Sequence, residues 1–272
     1  MATDSELSYD HFSKYFPYAP LALCIKECAR LAALRDYEVS GPILDVGCGD
    51  GLFAKIAFES EEVWGIDIDG NEGRWAQASR AYSQIIIGDI TKAKLPASFF
   101  KTCVANCSLE HVPNIQRALS TIAASLTPDG KAYLLVPNKE WAAQFRAVKL
   151  AKSAAGEKVG TMLQAGIDEF FRHRHLYDEA GWRDLIEQSD LKITELKPTL
   201  SSATTLAFEA FLIPSLAGWM NKKLTTRWTN FPGLRGLAAP AAYALAKAAL
   251  AAAGAEEKTA EFLIVCQRRD VA

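Results

Sequence analysis

The sequence predicts an α/β fold built on a doubly wound, parallel sheet. Three observations carry this. Short apolar runs alternate with amphipathic segments from Ile43 to Val136, the pattern of parallel strands joined by right-handed helical crossovers. The first run, Ile43–Val46, breaks into Gly47, Gly49 and Gly51, and an amphipathic segment, Leu52–Glu59, follows at once. Strand, glycine turn and helix in that order expose backbone N–H groups to a ligand. Finally, Asp45, Asp67, Asp89 and Asn106 all fall at the ends of apolar runs. Ligands of such sheets sit at the carboxyl ends of the strands.

In chain order, Tyr9–Pro20 is an aromatic-rich arm, and Pro20 suits a helix start. It packs on the sheet edge or forms a flap that closes Tyr15 or Tyr18 over a ligand. Leu21–Leu34 sets Leu21, Cys24, Ile25, Cys28, Leu31 and Leu34 on one helical face. After the glycine turn, Val63–Asp67 is a second strand and Ser83–Asp89 a third. Asn71–Tyr82 between them is a helix with Trp75, Ala78 and Ala81 inward. Lys101–Asn106 is a fourth strand. Pro113 opens a helix carrying Ile115, Leu119, Ile122 and Leu126, and Thr127-Pro-Asp-Gly is a turn by its chemistry. Ala132–Val136 is a fifth strand, Leu191–Leu196 a sixth and Ala260–Cys266 a seventh.

The chain has 272 residues, half of them hydrophobic, with a formal net charge of −2. That is ordinary globular composition, long enough to bury a core without staples. The charge balance argues against a broad phosphate-binding surface, so a nucleic-acid partner is not expected. Six dispersed cysteines form neither a CxxC pair nor a His–Cys zinc pattern, so they read as reduced thiols with no metal site. The polar, acidic N-terminus does not fit a signal peptide, and no uncharged apolar stretch is long enough to span a bilayer. A cytoplasmic location is expected.

The ligand reads as a nucleotide. Gly47 and Gly49 let backbone approach it, and Asp67 lies about 20 residues past the turn, where an acid accepts ribose hydroxyls. Gly49-x-Gly51-x-x-Ala54 also satisfies the loose dinucleotide pattern, so an NAD(P)-dependent oxidoreductase stays open on this stretch alone. Three features favour a different cofactor. Asp45 before the turn would face pyrophosphate unfavourably but suits an ammonium group. Asp89, with Ile90 beside it, offers an acceptor for an adenine amino group. The fourth strand ends in Asn106-Cys-Ser-Leu-Glu-His, which is not a nicotinamide-enzyme pattern.

Taken together, Asp45-Val-Gly-Cys-Gly-Asp-Gly, Gly65-Ile-Asp67-Ile, Gly88-Asp89-Ile, Ser108-Leu-Glu-His111-Val-Pro and Leu126-Thr-Pro-Asp-Gly resemble the successive motifs of class I S-adenosylmethionine-dependent methyltransferases. The match runs in order over Gly41–Asn138. It implies Asp45, Gly47 and Gly49, with Cys48 between them, around the methionine part of S-adenosylmethionine. Asp67 would meet the ribose, Ile68 would lie against the adenine, and Asp89 and Ile90 would sit at its edge. Asn106 would lie near the methyl donor, and S-adenosylhomocysteine would be the product. The resemblance also implies a seven-stranded sheet whose last strand is antiparallel.

This divides the chain into an N-terminal helical arm, 1–40, and a methyltransferase domain, 41–272, with lid insertions at 138–180 and 198–257. Two histidines are candidate general bases. His111 follows strand four, and His175 lies in Phe170-Phe-Arg-His-Arg-His-Leu-Tyr177; each also has a purely structural reading, ordering a loop or lid. Asp178 suits a helix cap after that segment. Leu206–Met220 and Leu237–Ala253 are apolar, with Trp219, Lys222, Lys223, Arg227 and Trp228 between them. They read as two lid helices, or as a surface for peripheral membrane contact across 206–253. The acceptor expected is a small or lipid-like apolar molecule, methylated on oxygen in preference to carbon. A non-catalytic membrane or partner adaptor with this fold is the remaining alternative. Oligomeric state is not legible.

Overall fold

The computed structural model describes residues 7–254 and 258–269. The first six residues of the acidic N-terminus, the end of the second insertion (255–257) and the last three residues lie outside the described residues. Helices α1 (Tyr9–Tyr15) and α2 (Leu21–Leu34) lead into β1 (Ile43–Val46), α3 (Leu52–Ala57), β2 (Val63–Asp67), α4 (Gly70–Ser79), β3 (Gln84–Ile87) and β4 (Phe100–Asn106). A 3-10 turn, Leu109–His111, precedes α5 (Ile115–Ser125) and β5 (Leu126–Pro137). Then come α6 (Arg146–Ala155), α7 (Glu157–Phe170), α8 (Glu179–Glu187), β6 (Leu191–Ser201), α9 (Ser202–Thr225), α10 (Pro232–Ala253) and β7 (Thr259–Arg268).

The strands form one sheet in the order β3-β2-β1-β4-β5-β7-β6. β1 to β5 pair in parallel and β7 runs antiparallel to β5, the predicted Rossmann-like architecture. The chain leaves β1 towards β3 on one side and resumes at β4 on the other. The topological switch point therefore lies between β1 and β4, beneath the glycine turn.

The chain divides into two compact units. A sheet unit comprises Glu38–Lys139, Glu169–Pro198 and Glu261–Ala272; a helical unit comprises Met1–Tyr37, Glu140–Asp168 and Thr199–Ala260. The N-terminal arm and most of both insertions thus share a unit, while residues 169–180 of the first insertion go with the sheet.

The core of the sheet unit follows the period of two that a pleated strand imposes. Leu44 and Val46, then Ala132, Leu134 and Val136, then Phe262, Ile264 and Cys266 pack against Leu119 and Ile122 of α5 and Trp182 and Ile186 of α8. Their neighbours Tyr133, Leu135, Leu263 and Val265 are buried as well, as a two-sided sheet requires. Asp178 caps α8 by accepting from Gly181 N–H at 2.9 Å, and Trp182 Nε1 donates to Pro137 O at 3.0 Å.

Two local expectations are corrected. The inward face of α4 is Gly73 and Ala76, while Ala78 is exposed and Trp75 only half-buried. Asp69 starts the helix at Gly70 by accepting from Asn71 and Glu72 N–H. It then approaches β3 so closely that a Cβ on Gly73 would lie 2.8 Å from Ile87 Cγ1. Thr127–Gly130 is not a free turn: β5 continues through it as an irregularity, because the pairing jumps from Phe100↔Leu126 to Thr102↔Lys131. Extra residues on one strand are absorbed as a bulge.

In the helical unit, α2 is buried on nearly all sides and packs along α9, which also packs on α10. Lys26 Nζ lies 4.9 Å from the Trp141 ring and 5.0 Å from the Phe208 ring. Arg30 pairs with Glu27 at 2.6 Å, both side chains buried. Tyr15, one of the flap candidates, is buried, whereas Tyr18 is exposed. Once one or two charges are tolerated, α9 and α10 are long and apolar enough to cross a membrane by length and composition. Removing one partner of a buried ion pair strands the other charge. Glu27→Ala should therefore lower unfolding free energy by about 3 kcal/mol, measured by urea denaturation.

Candidate active site

Four strand ends meet at one edge of the sheet unit. β1 ends in Val46 and the turn, β2 in Asp67, β3 just before Gly88-Asp89, and β4 in Asn106-Cys107. They surround a cavity of about 220 Å3 lined by Val46, Gly47, Ile66, Asp67, Ile68, Gly88, Asp89, Ile90, Cys107, Ser108, His111, Val112 and Pro113.

The turn is left-handed at Gly47, Gly49 and Gly51, with φ of 75°, 54° and 80°. A Cβ on Gly47 would lie 2.3 Å from Ser108 Cβ, so glycine is demanded by both conformation and space. Ser108 Oγ donates to Val46 O and locks the loop after β4 to the end of β1. A Cβ on Gly49 would meet nothing within 4 Å: the turn is open there, where a ligand needs access to backbone.

Asp67 ties two loops together. Its Oδ2 accepts from Gly49 N–H at 2.9 Å and its Oδ1 from Asp69 N–H at 2.8 Å. Each oxygen of a carboxylate has capacity for a further donor. Asp89 Oδ1 accepts from Thr91 N–H at 2.9 Å and Thr91 Oγ1 at 2.8 Å. These bonds hold its carboxyl below the usual carboxylate range, so at neutral pH it is a fixed acceptor. Ile90 is buried, whereas Ile68, on the cavity rim, is 72% exposed. A large apolar side chain left open at a polar cavity suits the face of a planar ring.

Asp45 sits elsewhere. It is buried and its Oδ2 accepts from Tyr82 Oη at 2.7 Å. Burial, then the charge of Asp45, push the Tyr82 phenol well above its ordinary range, so it remains a donor. Its ring fills the space that Cβ atoms on Gly51 and Gly65 would take, at 2.8 and 2.9 Å. Tyr82 is thus a strut beneath the turn, and the sequence reading missed it. Cys48 is buried beside it, its thiol pushed up by burial. Asp45, Cys48, Gly49 and Asn106 do not line the cavity; Gly49 reaches it through Asp67.

The histidines part company. His111 lines the cavity, and its Nδ1 lies 2.9 Å from Arg172 O. A carbonyl only accepts, so Nδ1 carries the proton and the ring's basic lone pair is on Nε2. Glu110 Oε1 lies 3.8 Å from that nitrogen, and the His173 ring stacks 5.8 Å away. His175 is not in the lining. Its Nε2 lies 2.9 Å from Val112 O and its Nδ1 3.2 Å from Tyr177 Oη. Both nitrogens are engaged, as donor and acceptor in turn. With Arg174 and His175 N–H both donating to Glu110 O, residues 172–175 are stitched onto the loop that carries His111.

A family model described as a methyltransferase domain matches residues 15–196. The chain belongs to the class I S-adenosylmethionine-dependent methyltransferases. The nicotinamide alternative left open by the glycine turn is thereby set aside. An uncharacterised methyltransferase of Mycobacterium bovis is 40% identical over 91 residues, 32% of this chain and 46% of that protein. The match thus spans about half the length of this curated relative. A ubiquinone biosynthesis O-methyltransferase of Coxiella burnetii is 26% identical over 147 residues, 52% of this chain and 61% of its own. Among solved structures, geranyl diphosphate C-methyltransferase of Streptomyces coelicolor superposes with a TM-score of 0.54 at 12% identity, covering 88% of this chain and 77% of that one. The [4+2]-cyclase SpnF superposes with a TM-score of 0.56 at 15% identity, covering 89% and 81%. At these identities the likeness concerns the fold of this methyltransferase.

The strut sets a test. Tyr82→Phe keeps the ring and leaves the buried Asp45 carboxylate short of a donor. It should lower stability by about 2 kcal/mol, the cost of a lost bond to a charged group, and weaken S-adenosylhomocysteine binding. Thermal unfolding and calorimetric titration read the two effects.

Proposed function

We propose that the chain transfers a methyl group from S-adenosylmethionine to a small, apolar, lipid-like acceptor, on oxygen in preference to carbon. The observation that carries this is the convergence of Gly47, Asp67, Asp89 and His111 on one cavity. The residues fit the cofactor: open space at Gly49, an acceptor at Asp67, and a fixed carboxylate at Asp89 between Ile68 and Ile90. The cavity is smaller than the roughly 300–1,000 Å3 of pockets that enclose a whole ligand. The adenosine end would occupy it and the methionine end extend along the turn past Cys48 and Gly49, towards Asn106.

Bound S-adenosylmethionine supplies an electrophilic methyl on a sulfonium. The protein's own work is to position the acceptor, exclude water and manage a proton. A phenol or alcohol must lose its proton as it attacks. We assign that role to His111, whose tautomer is set by Arg172 O and whose basic nitrogen has Glu110 within charge-pairing range. His175 is a positioning residue in this reading, since its bonds to Val112 O and Tyr177 are used in shaping the loop. The Coxiella O-methyltransferase supports an oxygen acceptor, and the geranyl diphosphate enzyme keeps carbon as the runner-up. The apolar 206–253 region supports a lipid-like acceptor and peripheral membrane contact.

Asp67→Ala should weaken S-adenosylhomocysteine binding by roughly 1–3 kcal/mol, the loss of charge-assisted bonds; calorimetry with unchanged affinity would remove Asp67 from the site. His111→Asn should lower turnover by about 100-fold or more, the usual contribution of a general base, a far larger loss than any change in that affinity. The assay follows labelled methyl transfer to phenols, quinols and fatty acids. Tight cofactor binding without transfer to any acceptor would favour the adaptor reading.

A further inference from the structure

The helical unit carries a feature that methyl transfer does not use. Half of the exposed large apolar side chains among the described residues lie between Ile213 and Leu245. On α9, Ile213, Leu216, Met220 and Leu224 recur at intervals of three or four, one stripe of a helix. Leu234, Leu237 and Leu245 make a similar stripe on α10. Leu224 near the end of α9 is 82% exposed and Phe231 at the start of α10 is 68% exposed.

Beside this surface runs a groove of about 840 Å3, lined by Phe16, Phe211, Pro214, Trp228, Phe231 and Leu234 among others. Its polar residues are turned to internal use. Asn221 and Asn230 bond each other's amides at 3.0 and 2.9 Å, Thr229 donates to Pro17 O, and Arg235 donates to Phe16 O and Ala19 O. What remains for an occupant is mostly hydrocarbon.

The charge is one-sided. Residues 202–253 carry Lys222, Lys223, Arg227, Arg235 and Lys247 against the single acid Glu209, in a chain of net charge −2. Lys223 Nζ, on the exposed surface, lies 3.7 Å over the Trp219 ring, whereas Lys222 is buried with its Nζ 4.5 Å over Trp228. An aromatic–basic pair such as Lys223 with Trp219 at the rim of an apolar stripe matches the boundary between phosphate headgroups and acyl chains.

We propose that the α9–α10 hairpin docks this protein on an anionic phospholipid bilayer. Leu224 and Phe231 enter the acyl region, Lys223 and Arg227 meet lipid phosphates, and lipid hydrocarbon fills the groove. A self-paired dimer through this face would set the bases against one another. A full span is also disfavoured. Ser202–Phe208 are already buried in the helical unit and Glu209 accepts from Arg146 and Ala147 N–H, so Ala210–Thr225 offers about 24 Å of helix, short of the ~30 Å hydrocarbon core. The hairpin lies in one leaflet. The proposal names the partner of the lipid-like reading above and rests on it for its purpose, while its test is separate.

The full chain is floated with vesicles of phosphatidylcholine alone or mixed with phosphatidylglycerol. Binding should be at least tenfold stronger to the mixed vesicles and fall with salt, as two basic side chains near an anionic surface predict. Lys223→Glu with Arg227→Glu should abolish that preference. Leu224→Asp with Phe231→Asp, at exposed positions, should abolish vesicle binding while thermal unfolding and S-adenosylhomocysteine affinity stay at wild-type values. No vesicle binding, equal binding to both compositions, or a dimer in sedimentation that the aspartate variant disrupts without any vesicle binding would each overturn docking. If homocysteine-analogue affinity persists in those cases, the methyltransferase reading survives; its loss with vesicle binding intact has the opposite meaning.

Discussion

The site depends on one steric constraint: no side chain fits at Gly47. The backbone there is left-handed, and any Cβ would collide with Ser108 at 2.3 Å. Because the position is empty, the loop after β4 can close against β1, and Ser108 can bond Val46 O. That closure brings His111 to the same cavity as Asp67 and Asp89. The adjacent positive φ values at Gly49 and Gly51 then turn the chain into α3 while leaving Gly49 N–H on Asp67. A single missing methyl thus couples the ends of β1, β2 and β4.

Around that constraint the polar residues divide into two kinds. Asp67 and Asp89 lie at the cavity, Asp67 bonded to its own loop and to the glycine turn and Asp89 to its own loop, each with capacity for further donors. Asp45 is withdrawn into the fold, bonded to Tyr82, and supports the turn from behind. Their sequence environments look alike, an acid at the end of an apolar run, yet burial separates them: Asp45 is 2% exposed. A buried carboxylate needs committed donors, and the Tyr82 phenol is one of them. The same division holds for the histidines. His111 has its tautomer set by one carbonyl, while His175 spends both nitrogens on loop geometry.

Most of the sheet was legible in the sequence because it obeys local rules. β1, β2 and α2 fall where apolar period and glycine punctuation put them, and the acids mark the strand ends. What was not legible depends on distances between elements. Tyr82 gives no signal in a one-dimensional reading, since its partner Asp45 is 37 positions away in the chain. The inward face of α4 was misread because Trp75 looks like core, whereas the close approach of Ile87 admits only Gly73. Thr127–Gly130 has every residue of a turn, but pairing with β4 on both sides draws it into the strand. The two late helices were legible as helices; the exposure of their apolar stripes was not, because composition alone does not tell a buried lid from an open one.

The two units also separate what selection and mutation can reach. Cofactor contacts proposed in the sheet unit draw on backbone geometry and a few acids, with little freedom to vary: a change at Gly47 or Tyr82 strikes the turn itself. The helical unit is held by broad apolar packing of α2 on α9 and by buried charges such as Arg30 with Glu27. Packing of that kind tolerates exchanges of similar volume, so the exposed stripes of α9 and α10 can change without disturbing the core beneath them. Yet the exposed area of the leucines between Ile213 and Leu245 adds no folding stability in the isolated chain, and it carries an aggregation risk. A surface with that cost persists where something covers it, and the excess of bases over acids in the same stretch restricts the cover to an anionic one.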